Sequence, residues 1–488
     1  MDWREKLKQL KRDIVGPDMK PVSSIASALA DNAQKPKSER VYFGLGLDFG
    51  TSSTKAVVKM QTVDRAYVVP FRGTASAEQP YLAPTRLRVT EQGGVELGDT
   101  GIGGWVEELK VRLMEEPWAH APAWPGASIS ARPAGLATAY VALIVRSVLG
   151  WFDMHVKPTL GTADIQWALN LGIPARDFDA TEIKEAFHAV ARAGWHLAVG
   201  GGAVTLDRAE RAVDAARGNS FSPKGIQKEA INVVPEVAAG VTAYVRSPQH
   251  QLGAHVFVDI GATTLDTSLF LLGQGEEGFK YVFLAADVDI SLGALRLHRH
   301  RATQLGQLAF AKFNASNPLK PIPESVQDCV PNSAEMHQID ASFIDRCLVS
   351  IGSVIVRAKR KAPQDLSVVD SGLLQSQVDS GAIRVLRSGG GMHLALYQGV
   401  IDEVGVRVAP GGKLGLRVKP LRMTELLTPP GLDAPELQDG DWSRLAIAYG
   451  LSFPIDDIGI FVPPSEVSEP EPPRRKDHGE GFISKDQV

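Results

Sequence analysis

Two stretches of the chain consist of an apolar run, a short polar turn and a second apolar run, a pattern that predicts two strands joined by a tight turn. The first, YFGLGLDFGTSSTKAVV, spans residues 42–58 and has its turn at Gly50–Ser53. The second, HVFVDIGATTLDTSLFLL, spans residues 255–272. The sequence also predicts strands at IQWALNLGIP, INVVP and IRVLRSGGG, and helices at ATEIKEAFHAVARAGW and IDRCLVSIGSVIVRAKRKA. Strands that alternate with helices in this way predict the α/β class.

The length of 488 residues predicts at least two domains, since a single compact core rarely grows that large. We place one lobe at residues 41–250 and a second at 251–462, so that each contains one of the two apolar stretches. Residues 1–40 begin with apolar positions at helical spacing, which predicts an amphipathic helix and a linker. This helix packs on its own protein or docks on a partner. Residues 463–488 are rich in Pro and charge, which predicts a disordered tail.

Composition narrows the class of protein. The chain has 52 Lys and Arg against 56 Asp and Glu, a net charge of −4, which argues against general binding to nucleic acid or to a membrane surface. The two cysteines, Cys329 and Cys347, offer neither a disulfide framework nor a cysteine zinc site. The N-terminus lacks the apolar stretch of a secretory signal, and no window approaches eighteen uncharged apolar residues. We therefore expect a cytoplasmic protein without a membrane segment.

Each apolar stretch carries an acidic residue beside its turn, Asp48 in the first and Asp259 in the second. A buried carboxylate is costly unless a cation pairs with it, and we expect that cation to arrive with a ligand. The glycine after each Asp lets the backbone approach a ligand, and the hydroxyl residues that follow can donate to phosphate oxygens. Carboxylates in such a site hold Mg²⁺ or its water molecules. One such turn is often only a hairpin, but two copies and the glycines Gly389–Gly391 favour a metal–nucleotide site.

These motifs resemble the signature of the actin-like ATPase superfamily, and most closely the nucleotide-binding domain of the seventy-kilodalton heat-shock chaperones. Asp48–Ser53 is similar to the first phosphate loop of that family, and Asp259–Asp266 to the second. Between them, Glu236–Tyr244 is similar to the first connecting motif. Leu386–His393 resembles the adenosine motif, and residues 442–453 resemble the second connecting helix.

The resemblance implies a duplicated ribonuclease-H-like fold, with two lobes around a cleft that holds ATP or ADP and Mg²⁺. It also implies that Asp48, Asp259 and Glu236 hold the metal through water, and that Asp259 orients the attacking water. The residues that it places around the nucleotide are Gly50, Thr51, Ser52, Ser53, Gly261, Ala262, Thr263, Thr264, Gly389, Gly390, Gly391 and His393.

Two departures from the family pattern bear on activity. Ile102 stands where the family has its catalytic lysine, which predicts hydrolysis that is slow or assisted by a partner. Lys55 or Lys110 could replace that lysine, and the sequence does not place either. Only a short polar tail follows Pro463, where a chaperone of this family continues into a peptide-binding domain.

The predicted function is a nucleotide-driven switch whose lobe closure controls the binding of a protein partner. A small-molecule kinase of the sugar-kinase type is the first alternative, because DFGTSSTKAVV is also similar to the opening of those enzymes. A filament-forming actin relative and a scaffold that binds ATP without hydrolysing it are the others.

Overall fold

The computed structural model describes residues 40–75, 79–97, 104–123, 127, 129–218, 221–276, 278–305, 333–362, 382–414, 416–438 and 440–469. In these ranges the chain is of the α/β class, as the sequence predicts. The described residues within 41–161 and 165–469 belong to one compact unit. Of the other unit, the described residues are Arg40 and Thr162–Asp164, where Arg40 forms an exposed ion pair with Asp164.

The described strands carry the following labels and bounds. They are β1 (Arg40–Phe49), β2 (Ser53–Met60), β3 (Arg65–Val68), β4 (Ala83–Pro84), β5 (Leu87–Val89), β6 (Val95–Glu96), β7 (Gly104–Val106), β8 (Ala121–Pro122), β9 (Ser130–Ala131), β10 (Asp164–Ile173), β11 (Ile231–Pro235), β12 (Gly253–Ile260), β13 (Leu265–Gly275), β14 (Gly278–Asp289), β15 (Ile383–Ser388), β16 (Leu421–Thr424), β17 (Leu432–Asp433) and β18 (Ile460–Val462).

The described helices are labelled in the same way. They are α1 (Leu109–Glu115), α2 (Pro133–His155), α3 (Thr181–Val199), α4 (Leu206–Arg217), α5 (Glu236–Val245), α6 (Ala294–Leu305), α7 (Ser333–Lys361), α8 (Ala395–Val408), α9 (Trp442–Leu451) and α10 (Ile455–Ile458). Short 3-10 helices are found at Lys157–Leu160, Asp177–Asp179, Lys228–Ala230 and Pro464–Glu466.

The two large sheets have the same order of strands. The first runs β11-β10-β1-β2-β3-β17, with β4 paired to β2, and the second runs β16-β15-β12-β13-β14-β18. In each, three consecutive strands form an antiparallel meander, and two later strands, β10 and β11 in the first sheet and β15 and β16 in the second, continue on the far side of its first strand. The two predicted hairpin turns therefore occupy the same place in each sheet, between its first and second strands.

Short strands at the sheet edges were not predicted. The two-residue strand β17 pairs with β3, so a segment that the sequence places in the second lobe completes the first sheet. The pairing joins residues more than three hundred positions apart, and a two-residue strand has no readable hydrophobic period.

Helices α5 and α9 pack against each other between the sheets. A Cβ on Gly450 of α9 would collide with the carbonyl oxygen of Ala239 on α5, so the two helix backbones touch at this point. Glycines Gly44 and Gly46 of β1 likewise leave room for the last turn of α9. A larger side chain at these positions would separate the helix from the first sheet.

Among the described helices, α2 most resembles a membrane-spanning segment. It is long and apolar enough to cross a membrane by length and composition, with a mean hydropathy of 1.5 over its best window. Two thirds of that window, 67%, is buried inside the protein, where α2 packs in the core beside α3. A core helix of a folded domain has the same composition.

Several predictions lie partly or wholly outside the described residues. The amphipathic helix and linker predicted at 1–40 do so except for Arg40, which begins β1. Ile102 also lies outside them. The tail predicted from residue 463 starts with the 3-10 helix Pro464–Glu466, where the Ser465 amide donates to Asp179. Residues 470–488 lie outside the described part.

Candidate functional site

One cleft is lined by most of the predicted site residues. Seven separate parts of the chain line it: the β1–β2 hairpin, helix α1, the start of α5, the β12–β13 hairpin, the start of α6, the loop after β15 and helix α9. The predicted residues on its wall are Asp48, Gly50, Thr51, Ser52, Ser53, Glu236, Asp259, Gly261, Ala262, Thr264, Gly389, Gly390 and Gly391.

Two predicted residues do not line the cleft. Thr263 is buried in the turn, and its hydroxyl oxygen has no hydrogen-bond partner in the described part of the chain. His393 is exposed, and its Nε2 lies 3.2 Å from the carbonyl oxygen of Gly440.

Asp48 pairs with a lysine of its own hairpin. Lys55 Nζ lies 3.0 Å from Asp48 Oδ2, and both side chains are largely buried. The two residues face each other in the antiparallel register of β1 and β2. Asp48 thus already has one cation beside it within the protein, because cross-strand neighbours lie within reach of each other. The cation expected to arrive with a ligand stays a prediction.

Glu236 pairs with the other lysine that the sequence left unplaced. Lys110 on α1 reaches into the cleft, and its Nζ lies 2.5 Å from Glu236 Oε1, with 7% and 6% of the two side chains exposed. Burial raises the pKa of Glu236 to about 7, and the charge of Lys110 opposes that rise only in part. Burial lowers the pKa of Lys110, but the carboxylates of Glu236, Asp48 and Asp266 outweigh it, and the net pKa is raised.

Asp259 and Asp266 face each other across β12 and β13 without a basic partner of their own. The Oδ1 atom of each is buried and accepts no hydrogen bond from the described residues. Burial, followed by the charge of Asp48, raises the pKa of Asp259. Burial, followed by the charge of Asp259, raises the pKa of Asp266 well above its usual value. A cation placed between these carboxylates would lower both pKa values.

The charges on the cleft wall leave room for a divalent cation. Four carboxylates and two ammonium groups line it, so two negative charges remain when all are ionised. Arg444 also lines the cleft, and Asp441 beside it balances its charge. The carboxylates and orphaned oxygens therefore suit Mg²⁺. No three His, Cys, Asp or Glu side chains in the described ranges converge as a metal site, so a metal here would be held mainly through water.

Glycines bring the backbone close to the carboxylates. Gly389 has φ of +85°, and a Cβ there would lie 2.6 Å from Asp259 Oδ1 and would collide with the Ile260 carbonyl. A Cβ on Gly50 would lie 2.5 Å from the Ser53 carbonyl oxygen. Any larger residue at either position would fill the cleft or distort its turn.

The structure adds Asp266 and Arg444 to the predicted site and places Lys55 and Lys110, which the sequence named without a position. Lys55 has a signal in the sequence, because the register of a hairpin around Gly50–Ser53 places it opposite Asp48. Asp266 and Arg444 lie within motifs that were recognised, but no role was predicted for them. Lys110 had no local signal, since it reaches the cleft from a helix distant in sequence from every motif.

No family model matches the chain, and no curated protein matches it. The interpretation of the cleft therefore rests on its residues and their geometry.

Proposed function

We propose that this protein binds ATP with Mg²⁺ in the cleft, hydrolyses it slowly, and uses the nucleotide state to control its binding to a protein partner. The observation that carries the proposal is the convergence of four separated motifs, Asp48–Ser53, Glu236, Asp259–Asp266 and Gly389–Gly391, on one cleft.

The strand order supports a duplicated ribonuclease-H-like fold. Both sheets consist of an antiparallel meander extended past its first strand by two further strands, and each has a phosphate-type turn between its first two strands. A duplicated unit brings two such turns face to face, as a nucleotide with several phosphates requires. This agreement of topology and motif is stronger support than either alone.

The cleft offers different groups at its different walls. Hydroxyls and backbone amides of Thr51 and Ser52 would donate to phosphate oxygens, and the glycines Gly389–Gly391 leave space for adenosine. The Thr264 hydroxyl, which donates to Asp266 Oδ2 at 3.2 Å, would have to turn from that carboxylate to reach a phosphate. Asp48, Asp259 and Glu236 would hold Mg²⁺ through its water molecules. The bound metal supplies charge neutralisation to the phosphates.

For hydrolysis, Asp259 is the residue placed to accept a hydrogen bond from the attacking water. Its raised pKa suits a general base, and its Oδ1 has no competing donor among the described residues. Lys110 keeps an ammonium group in the cleft, which offers positive charge where Ile102 offers none. Because Glu236 holds Lys110 so closely, we expect this charge to help only weakly and turnover to be slow.

The contact between α5 and α9 supports the switch. Both helices carry cleft residues, Glu236 and Arg444, and their backbones touch at Gly450 and Ala239. A ligand that draws the cleft walls together must change the angle between these helices. We propose that a protein partner distinguishes the two arrangements.

ATP binding and phosphate release with and without Mg²⁺ test this proposal, on the wild type and on Asp259→Asn. We expect binding with Mg²⁺ in both proteins and a loss of turnover of about 100-fold in the variant. Asp402→Asn, an exposed acid on α8 hydrogen-bonded to Gln398, is the matched control and should behave as wild type. Absence of ATP binding by the wild type would refute the nucleotide site, and unchanged turnover in Asp259→Asn would refute the role of Asp259. Phosphate transfer that needs a small polyol would point instead to a kinase.

A further inference from the structure

Arg444 is the third cation of the cleft, and no role was assigned to it above. It lies near the start of α9, and 11% of its side chain is exposed. Unlike Lys55 and Lys110, it has no carboxylate oxygen within 3.0 Å. The nearest, Asp441 Oδ1, lies 3.6 Å from its Nη1.

One edge of the Arg444 guanidinium is anchored. Its Nη1 donates to Gln79 Oε1 at 3.3 Å, and Gln79 Nε2 in turn donates to Asp441 Oδ2 at 3.2 Å. This small network fixes the plane of the guanidinium from the side of the helix. Fixing a long side chain in advance lowers the entropy cost of using its other donors.

The other edge of Arg444 faces the glycine loop. A Cβ on Gly390 would lie 3.1 Å from Nη2 and 3.3 Å from Nε, and neither nitrogen donates to another described residue. An Nε–Nη2 edge is the bidentate fork that matches two oxygens of a phosphate. Burial lowers the pKa of Arg444, and the charge of Asp441 opposes that shift only in part, so a second anionic partner on the free edge would stabilise the guanidinium further.

The position of this fork along the cleft indicates which phosphate it meets. Gly389, the neighbour of Gly390, approaches Asp259 Oδ1. The carboxylates that suit the metal therefore lie next to the Arg444 edge that faces Gly390. In the proposed site the metal accompanies the terminal phosphates and the glycine loop takes the nucleoside. The phosphate between them is the one attached to the ribose.

We infer that Arg444 binds the α-phosphate of the nucleotide and thereby makes the cleft select nucleotides over nucleosides. This inference rests on the proposed nucleotide site and adds to it a group that distinguishes AMP from adenosine. The role is one of binding and not of catalysis, since Arg444 lies on the nucleoside side of the carboxylates.

Calorimetric titration with ADP, AMP and adenosine tests the inference on the wild type, Arg444→Gln and Arg444→Lys. We expect Arg444→Gln to bind ADP and AMP roughly 10- to 100-fold more weakly and adenosine as tightly as wild type, since a charged hydrogen bond to phosphate is lost. Arg444→Lys keeps the charge without the fork, so its loss should be intermediate. The matched control is Arg384→Gln, because Arg384 also donates to a glutamine, Gln251, but does not line the cleft.

The outcomes separate this inference from the proposed function. If the wild type binds none of the three compounds, the nucleotide site itself is wrong and the inference is overturned with it. If the wild type binds them and Arg444→Gln binds AMP equally well, only the role of Arg444 is refuted. An equal loss for AMP and adenosine would show that Arg444 shapes the loop and does not contact phosphate. A melting curve of each variant without ligand checks that it is folded, and Arg444→Lys serves if Arg444→Gln is not.

Discussion

Replacing Lys110 by Met removes the cation that faces Glu236 and keeps the length of the aliphatic stem. The two side chains are 7% and 6% exposed, and Nζ and Oε1 are 2.5 Å apart, so the carboxylate that remains after the substitution is poorly solvated. Loss of one partner of a buried ion pair costs about 3–5 kcal/mol of unfolding free energy while the other stays ionised. Burial already raises the pKa of Glu236 to about 7. In Lys110→Met, Glu236 can therefore avoid this cost by taking up a proton.

The expected loss of stability therefore depends on pH. At pH 8.5 we expect Lys110→Met to lose about 3 kcal/mol relative to wild type, and at pH 5.5, where Glu236 is protonated, about 1 kcal/mol for the lost hydrogen bond. Removing both charges in Lys110→Met with Glu236→Gln should recover most of the loss at pH 8.5, since no uncompensated charge remains. Urea unfolding of the four proteins of this double-mutant cycle at both pH values measures the effect. An equal loss at the two pH values, or a double variant no more stable than Lys110→Met, would refute the reasoning.

Two further predictions concern residues that do not line the cleft, Glu108 and His255. Glu108, at the start of α1, accepts a hydrogen bond from Arg296 on α6 at 2.9 Å. We expect Glu108→Gln to speed ADP release up to about 5-fold in stopped flow. The control Glu403→Gln, which breaks an ion pair within one helix, should leave the release rate unchanged. His255 is buried, and burial lowers its pKa to about 4, so the folded state binds fewer protons than the unfolded state between pH 6.5 and 4. Stability should fall as pH drops through that window, by about 3 kcal/mol from this residue, and His255→Gln should lose that part of the pH dependence in urea unfolding. An identical pH profile in His255→Gln would contradict this account.

Local features of the fold were well predicted from the sequence. The hairpin of β1 and β2 and that of β12 and β13 were found where alternating apolar runs and glycine turns predict them. Hairpins depend on residues close together in the chain, so their signal is complete within a short window. Long-range pairings such as β17 with β3 depend on the whole fold, and the sequence did not predict them.

The sequence by itself determined the acidic turns, the glycine loop and the start of α5 as the parts from which a site could be built. Only the tertiary structure decided that they share one cleft and which cations join them. Lys110 and Arg444 enter from helices whose orientation is set by packing against the sheets and by the Gly450–Ala239 contact. The pairing of Lys110 with Glu236 acts through space between residues far apart in the chain, so no local pattern reveals it.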